Sequence, residues 1–296
     1  MSTITEILNN HPEEVTLVTH IPKPRHHADD VAATALLRIL LDKYGIKHKT
    51  IHTFYPKDFL GYDDNTPNVI IYDIGLGMYD HHQPSPKDVH CLRLDSDGTT
   101  RKFSSVGLIW REIGHLLVPG DYVNDVYNNV IRAIDDQDNG NGFNPLSFCI
   151  GCMNTPANRT STNETEAFEK AVDVMRILFS HVFENYIAKG EEKEEAEKIV
   201  ASYKGKNYVS SDTYIATIIE LCSINEIPFY IYPNSRDNGW CFRTITPVGG
   251  EMNDHIVDIP QEVRDWEGVT FLHPSGFLCS VDTKERAIEI IEKLCK

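Results

Sequence analysis

No run of about 18 apolar residues, the length that begins to suggest a membrane-spanning helix, occurs in the 296-residue sequence. Positive charge is also scarce: 28 Lys and Arg face 44 Asp and Glu, a formal net charge of −16. A protein that coats long duplex DNA needs an extended basic surface, so that class is excluded. Clustered carboxylates, by contrast, suit divalent cations. The first 14 residues lack an apolar h-region, so no secretory signal is expected. The seven cysteines are an odd number, and a reduced, intracellular setting is expected: cytoplasmic, or nuclear or mitochondrial in a eukaryote. A single CxxC, Cys149 and Cys152, has no second pair nearby, whereas structural zinc takes four ligands; the pair reads as two half-buried thiols. The Asn-x-Thr sequons at Asn158 and Asn163 carry no weight without secretion. There is no internal repeat and no low-complexity tract.

What is present is an ordinary globular composition, 41% apolar and 24% charged, enough for a sizeable core. Residues 15–19 (VTLVT) read as a buried strand, and residues 29–44 carry apolar side chains at helical spacing, with Asp29 and Asp30 in the first turn and Gly45 as the stop. Residues 49–54 and 68–72 (NVIIY) read as further strands, and residues 104–117 and 122–134 as helices. Strands separated by helices predict an α/β fold with a parallel sheet. Residues 139–163, rich in Asn, Gly, Pro, Ser and Thr, read as loop, and residues 164–203 as two helices. The expected division is a catalytic domain over residues 1–150, a loop and helical linker over 151–205, and a smaller α+β domain over 206–296.

Four segments concentrate His and Asp: His20 with His27-Ala28-Asp29-Asp30; Asp73 at the end of NVIIY; Asp80-His81-His82; and Asp135-Asp136-Gln137-Asp138. In an open parallel sheet, ligands bind at the carboxyl ends of strands, where His20 and Asp73 fall. Imidazoles mixed with carboxylates suit Mn²⁺, Mg²⁺, Co²⁺ or Zn²⁺. Two ions about 3.5–4 Å apart can clamp the attacking and leaving oxygens of a phosphoryl displacement. His26, beside His27, could replace it in the cluster.

The pattern resembles the DHH phosphoesterase superfamily, named for the triplet seen here as Asp80-His81-His82. Within it the chain is most similar to the melanocyte proliferating gene one family, metal-dependent proteins associated with 3′→5′ RNA exonuclease activity. The resemblance rests on Thr19-His20 with His27-Ala28-Asp29-Asp30, Tyr72-Asp73-Ile74-Gly75, Tyr79-Asp80-His81-His82-Gln83, Ser104-Ser105-Val106-Gly107, Ala133-Ile134-Asp135 and Asp138-Asn139-Gly140. It continues through Tyr232-Pro233-Asn234-Ser235-Arg236, Gly239-Trp240 and His273-Pro274-Ser275-Gly276-Phe277.

The resemblance implies that His20, His27 and Asp73 hold one metal and Asp29, Asp73, His81 and Asp135 the other, with Asp73 bridging. It implies two divalent ions, Mn²⁺ or Mg²⁺, a phosphate contact from His82, and a substrate grip from Arg243, His273, Ser275 and Gly276. The stretch between His20 and His27 is Pro- and Lys-rich where the family has a small turn, leaving His26 as an alternative to His20. Asp136 and Asp138 compete with Asp135. The expected function is a metal-dependent phosphodiesterase, a 3′→5′ exonuclease on RNA or short oligonucleotides. The alternatives are a small-molecule phosphoesterase or pyrophosphatase with the same centre, and a catalytically silent metal- or nucleotide-binding module. No membrane partner is expected, and an oligomer remains open. Lys23, Arg25, Arg93, Arg101, Lys102, Lys204, Lys206, Arg236 and Arg243 are the residues able to form a local basic patch.

Overall fold

The computed structural model describes residues 3–22, 25–82, 89–156, 163–236 and 238–296. Lys23, Gln83 and Asn158, singled out above, lie outside the described residues. The chain is mixed α/β and divides into two compact units, Met1–Ile187 and Ala188–Lys296. Among the described residues no helix is long and apolar enough to cross a membrane.

The first unit contains α1 (Ile4–Asn9), β1 (Glu14–Thr19), α2 (Ala28–Lys43), β2 (Lys47–His52), β3 (Val69–Ile71), β4 (Leu92–Leu94), β5 (Thr100–Lys102), α3 (Ser105–Leu117), α4 (Val123–Val126), α5 (Arg132–Asp138) and α6 (Pro145–Cys152). β1 is the centre of a parallel sheet in the order β2-β1-β3. Its five residues from Val15 onward are all buried, as an apolar strand covered on both faces requires. α2 buries Val31, Ala35, Leu36 and Leu40, and Gly45 follows it in the left-handed conformation (φ 68°) that ends many helices. β4 and β5 pair as a separate antiparallel hairpin.

Three stretches differ from the sequence expectation. Residues 122–134 form no single helix: α4 passes through a π-helical turn, Tyr127–Ile131, into α5. A π turn adds a residue to the turn and changes which side chains face inward beyond it. The supposed loop over 139–163 contains α6, begun by Pro145 and capped by the Asn144 side chain, which accepts from Leu146 N at 3.0 Å. Residues 164–203 form one 39-residue helix, α7 (Glu164–Ser202). Its early apolar residues Phe168, Val172, Met175, Phe179 and Phe183 belong to the core of the first unit, where Phe183 stacks on Trp110 at 5.5 Å.

The second unit contains β6 (Tyr208–Ser210), α8 (Ala216–Ile224), β7 (Phe229–Pro233), β8 (Trp240–Thr244), β9 (Val269–Leu272), β10 (Leu278–Val281) and α9 (Lys284–Leu294). The sheet order is β6-β7-β8-β10-β9, parallel only between β6 and β7. α9 lays Ala287, Ile290 and Ile291 against Phe229, Phe242 and Val281 in one core, the outcome of an apolar stripe at helical spacing.

Candidate metal centre

The parallel register of β1 and β3 sets Val18 opposite Ile71, so the chain leaves both strands on the same edge of the sheet. His20 and Asp73 emerge there side by side, with His20 Nε2 3.1 Å from Asp73 Oδ2. Asp73 adopts φ 57°, the left-handed conformation that aspartate and asparagine tolerate better than other non-glycine residues. Its N–H donates to Tyr79 O at 3.1 Å, closing the loop that carries Asp80, His81 and His82 back to the strand end. The amino end of α2 meets the same edge. Asp30 Oδ2 lies 2.9 Å from His20 Nε2, while its Oδ1 accepts from His27 N at 3.0 Å.

His81 is gripped from two sides: Nε2 lies 2.9 Å from Asp138 Oδ2, and Nδ1 3.5 Å from Asp73 Oδ1. Ser105, in the first turn of α3, donates its hydroxyl to Asp73 Oδ1 at 2.9 Å. His82 is the exposed member, its side chain 54% accessible. Its Nδ1 and its backbone N–H both meet Asp80 Oδ1, at 2.8 and 3.0 Å. The remaining Asp80 oxygen accepts from Leu76 N, so Asp80 holds the loop and orients His82.

The charge balance is unusual. Asp29 is fully buried, neither carboxylate oxygen receives a hydrogen bond, and the nearest imidazole nitrogen, His81 Nδ1, is 3.9 Å away. Burial, then the charges of Asp73, Asp138 and Asp30, push its carboxyl well above the usual range. Burial likewise raises Asp30 against the pull of His20. Burial opposes charge on His20, but Asp30 and Asp73 together push its pKa up to about 11. A proton on His20 thus occupies a position where charge is demanded, and a metal ion is the other means of meeting that demand. Three groups have ligand atoms within 4.8 Å of one another: His20, Asp30 and Asp73; His27, Asp29 and Asp138; and Asp73, Asp80, His81 and His82. Asp73 is shared by two of them. An orphaned buried carboxylate ringed by nitrogen and oxygen donors fits a hard or borderline divalent cation.

His20, His27, Asp29, Asp73 and His81 therefore converge, and His82 stands at their edge. Asp135 is placed elsewhere. Its Oδ1 accepts from Ser104 N at 3.0 Å and Ser104 Oγ at 2.7 Å; its Oδ2 accepts from Tyr127 Oη at 2.9 Å and Arg93 Nη1 at 3.3 Å. Burial nonetheless raises its pKa to about 6. The pocket exists because residue 107 is glycine: a Cβ there would collide with Asp135 Oδ2. Asp138, one helical turn onward, occupies the ligand group instead. His26 is also apart from the cluster, buried with Nε2 3.3 Å from Ile150 O and its ring against Phe168. Asp30, Asp80 and Ser105 were not expected to take part. All three lie in the motif segments, but only the tertiary contacts reveal their partners.

In the second unit, Arg243, His273, Ser275 and Gly276 gather around Phe277. The Arg243 guanidinium lies 5.7 Å from that ring and the His273 ring 4.5 Å from it. His273 Nδ1 accepts from Ser275 N at 3.2 Å. Gly276 is left-handed (φ 75°), and a Cβ there would meet Ile259 O at 2.8 Å. Of the basic residues, Arg93 and Arg101 are committed to Asp95 and Asp136 and do not form a free patch. Cys149 and Cys152 are both exposed rather than half-buried.

The chain is 24% identical to the MYG1 exonuclease of Bos taurus over 318 residues, covering 89% of this chain and 81% of the relative. Among solved structures it matches a pGpG-specific phosphodiesterase, PggH, from Vibrio cholerae, with 14% identity, a TM-score of 0.33, and coverage of 96% of this chain and 97% of that one. It also matches RecJ from Thermus thermophilus in complex with Mn²⁺, with 11% identity, a TM-score of 0.27, and coverage of 97% and 52%. Superpositions at these scores add nothing to the sequence match. A family model described as Uncharacterised protein family (UPF0160), MYG1_exonuc, spans residues 16–294, and the chain belongs to that family.

Proposed function

We propose that this chain is an exonuclease that hydrolyses RNA or short oligonucleotides from the 3′ end, using two divalent ions held at the edge of the β2-β1-β3 sheet. The chain is a hydrolase acting on phosphodiester bonds. Substrate, direction and the number of ions form the finer reading. The observation that carries it is Asp73, at the end of β3 and shared between two ligand groups, with Asp29 fully buried beside it among imidazoles and other carboxylates.

His20, His27 and Asp73 would hold one ion, and Asp29, Asp73, His81 and Asp138 the other. The His20 and His27 rings are 6.1 Å apart. Bound Mn²⁺ or Mg²⁺ supplies a water of lowered pKa and positive charge for the phosphoryl oxygens. The chain's own contribution is placement. Ser105 and His81 fix the Asp73 carboxylate, and Asp80 fixes His82. The hydrogen bond that His82 Nδ1 makes to Asp80 raises the His82 pKa above its ordinary value, which favours a proton on the exposed ring for a phosphate oxygen or the leaving oxygen. The net charge of −16, with Arg93 and Arg101 neutralised internally, favours a short substrate over a long polyanion.

The test is incubation of the purified protein with 3′- and 5′-labelled oligoribonucleotides, with Mn²⁺ or with chelator. Release of the 3′ label as mononucleotide, abolished by chelator, is expected. Hydrolysis of pyrophosphate or a small ester alone would replace the exonuclease reading with that of a small-molecule phosphoesterase. His82→Ala should lower turnover by about 10²–10⁴, the span of one general acid, with metal binding retained. Loss of metal in that variant would make His82 a ligand.

A further inference from the structure

We propose that the cavity between α6 and the ends of α2 and α5 is a nucleobase subsite, in which Phe148, paired with Phe143, is the stacking platform. The proposal rests on the nucleotide-hydrolase reading and names where the base of that substrate sits. The cavity measures about 500 Å³, within the range of small-ligand sites. His27 and Asp138, members of the metal-ligand group, form part of its wall, so a phosphate on the metal centre and a base in the cavity are adjacent by construction.

Phe148 lines the cavity and is 56% exposed; Phe143, 72% exposed, lies 5.9 Å from it ring to ring. Two large aromatic rings left in solvent beside a polar site are unfavourable unless something covers them, and a base offers a flat face to cover them without demanding a particular sequence. The polar wall supports the same occupant. His26 and Ser147 line the cavity, and each keeps a buried polar atom, Nδ1 and Oγ, without a partner. With His26 Nε2 donating to Ile150 O, Nδ1 is left as an acceptor. Asn154 fixes that ring by accepting from His26 N at 2.8 Å and donating to His26 O at 2.9 Å. Arg25, exposed at the cavity wall, adds a positive charge.

A second exposed aromatic pair, Phe54 and Tyr55, makes the contrast. Its cavity is lined by Asp58, Asp63 and Asp64 against the single cation Lys57, and by none of the metal-centre residues, a net-negative setting that disfavours a nucleotide.

The experiment compares binding of AMP and of ribose 5-phosphate to the full chain in Mn²⁺, by equilibrium competition. The wild type should bind AMP at least about tenfold more tightly. Phe148→Ala should lower AMP affinity about 5- to 150-fold, the range for one stacked base, and leave ribose 5-phosphate unchanged. Phe148→Trp should retain the preference, and unchanged Mn²⁺ binding in each variant shows that the fold is kept. Equal affinity of the wild type for the two ligands would overturn the proposal, as would an AMP preference that survives both Phe148→Ala and Phe143→Ala. An AMP preference lost in Phe148→Ala, in a protein that cleaves no oligonucleotide, would sustain the subsite while removing the exonuclease reading.

Discussion

Two groups of buried and half-buried carboxylates lie in the first unit, and opposite means neutralise them. Asp95, Asp135 and Asp136 surround Arg93. Nε of Arg93 is 3.1 Å from Asp95 and Nη1 3.3 Å from Asp135, Nη2 contacts Asp136, and Arg101 and Arg132 add further contacts to Asp95. Asp29, Asp30, Asp73 and Asp138 have no guanidinium or ammonium partner among the described residues, and the only side chains able to offer them positive charge there are imidazoles. A guanidinium cannot give up its charge, so the first group is permanently paired and structural. Imidazole gives up its proton readily, so the second group can exchange protons for metal ions. Burial makes a carboxylate expensive; the neutralising partner decides whether it can act as a ligand.

The difference can be broken in several ways. The largest expected effect is from Asp73→Asn, which removes the shared charge and should lower turnover about a thousandfold or more. Activity within about tenfold of wild type would remove Asp73 from the bridging role. Arg93→Ala leaves the buried Asp135 without its cation, while Asp136 keeps Arg101 and Arg132, and should cost about 3–5 kcal/mol in denaturant unfolding. The folded variant should keep its full Mn²⁺ stoichiometry; metal lost from a folded Arg93→Ala protein would merge the two groups into one functional unit.

The adjacent acids of α5 sharpen the contrast. Asp138→Asn should weaken Mn²⁺ binding by about a hundredfold, and Asp135→Asn by less than about threefold, as read by calorimetric titration. The reverse order would restore Asp135 as the ligand. A further effect is in pH. Asp30 and Asp73 push the His20 pKa up to about 11, so a metal ligating it must displace a proton at neutral pH. Mn²⁺ affinity should therefore rise by about tenfold per pH unit for each proton displaced between about pH 6 and 8. A flat profile would show that His20 does not ligate.

Much of this centre is local in the chain. The apolar run before His20 and the NVIIY strand before Asp73 announce parallel strands whose ends carry the ligands. Asp29 and Asp30 open an amphipathic helix, and Asp80, His81 and His82 follow closely after Asp73. The four residues about Phe277 were likewise contiguous or cross-strand neighbours, Leu278 pairing with Arg243. α6 was hidden because an Asn-Pro start amid Asn, Gly and Ser has the composition of a loop.

The sequence by itself determined the strand-and-helix alternation, the His and Asp residue types suited to a metal site and the strand ends on which two of them stand, because periodicity and motif spacing act over a few residues. Only the tertiary structure separates Asp135 from Asp138 by their partners. Arg93, on the β4–β5 hairpin some forty residues earlier, claims the first, and the π turn before α5 sets which side chains face His81. It alone also left Phe143 and Phe148 exposed beside the centre. Long-range pairing of charge and the phase of a helix are consequences of packing, and no local window of sequence contains them.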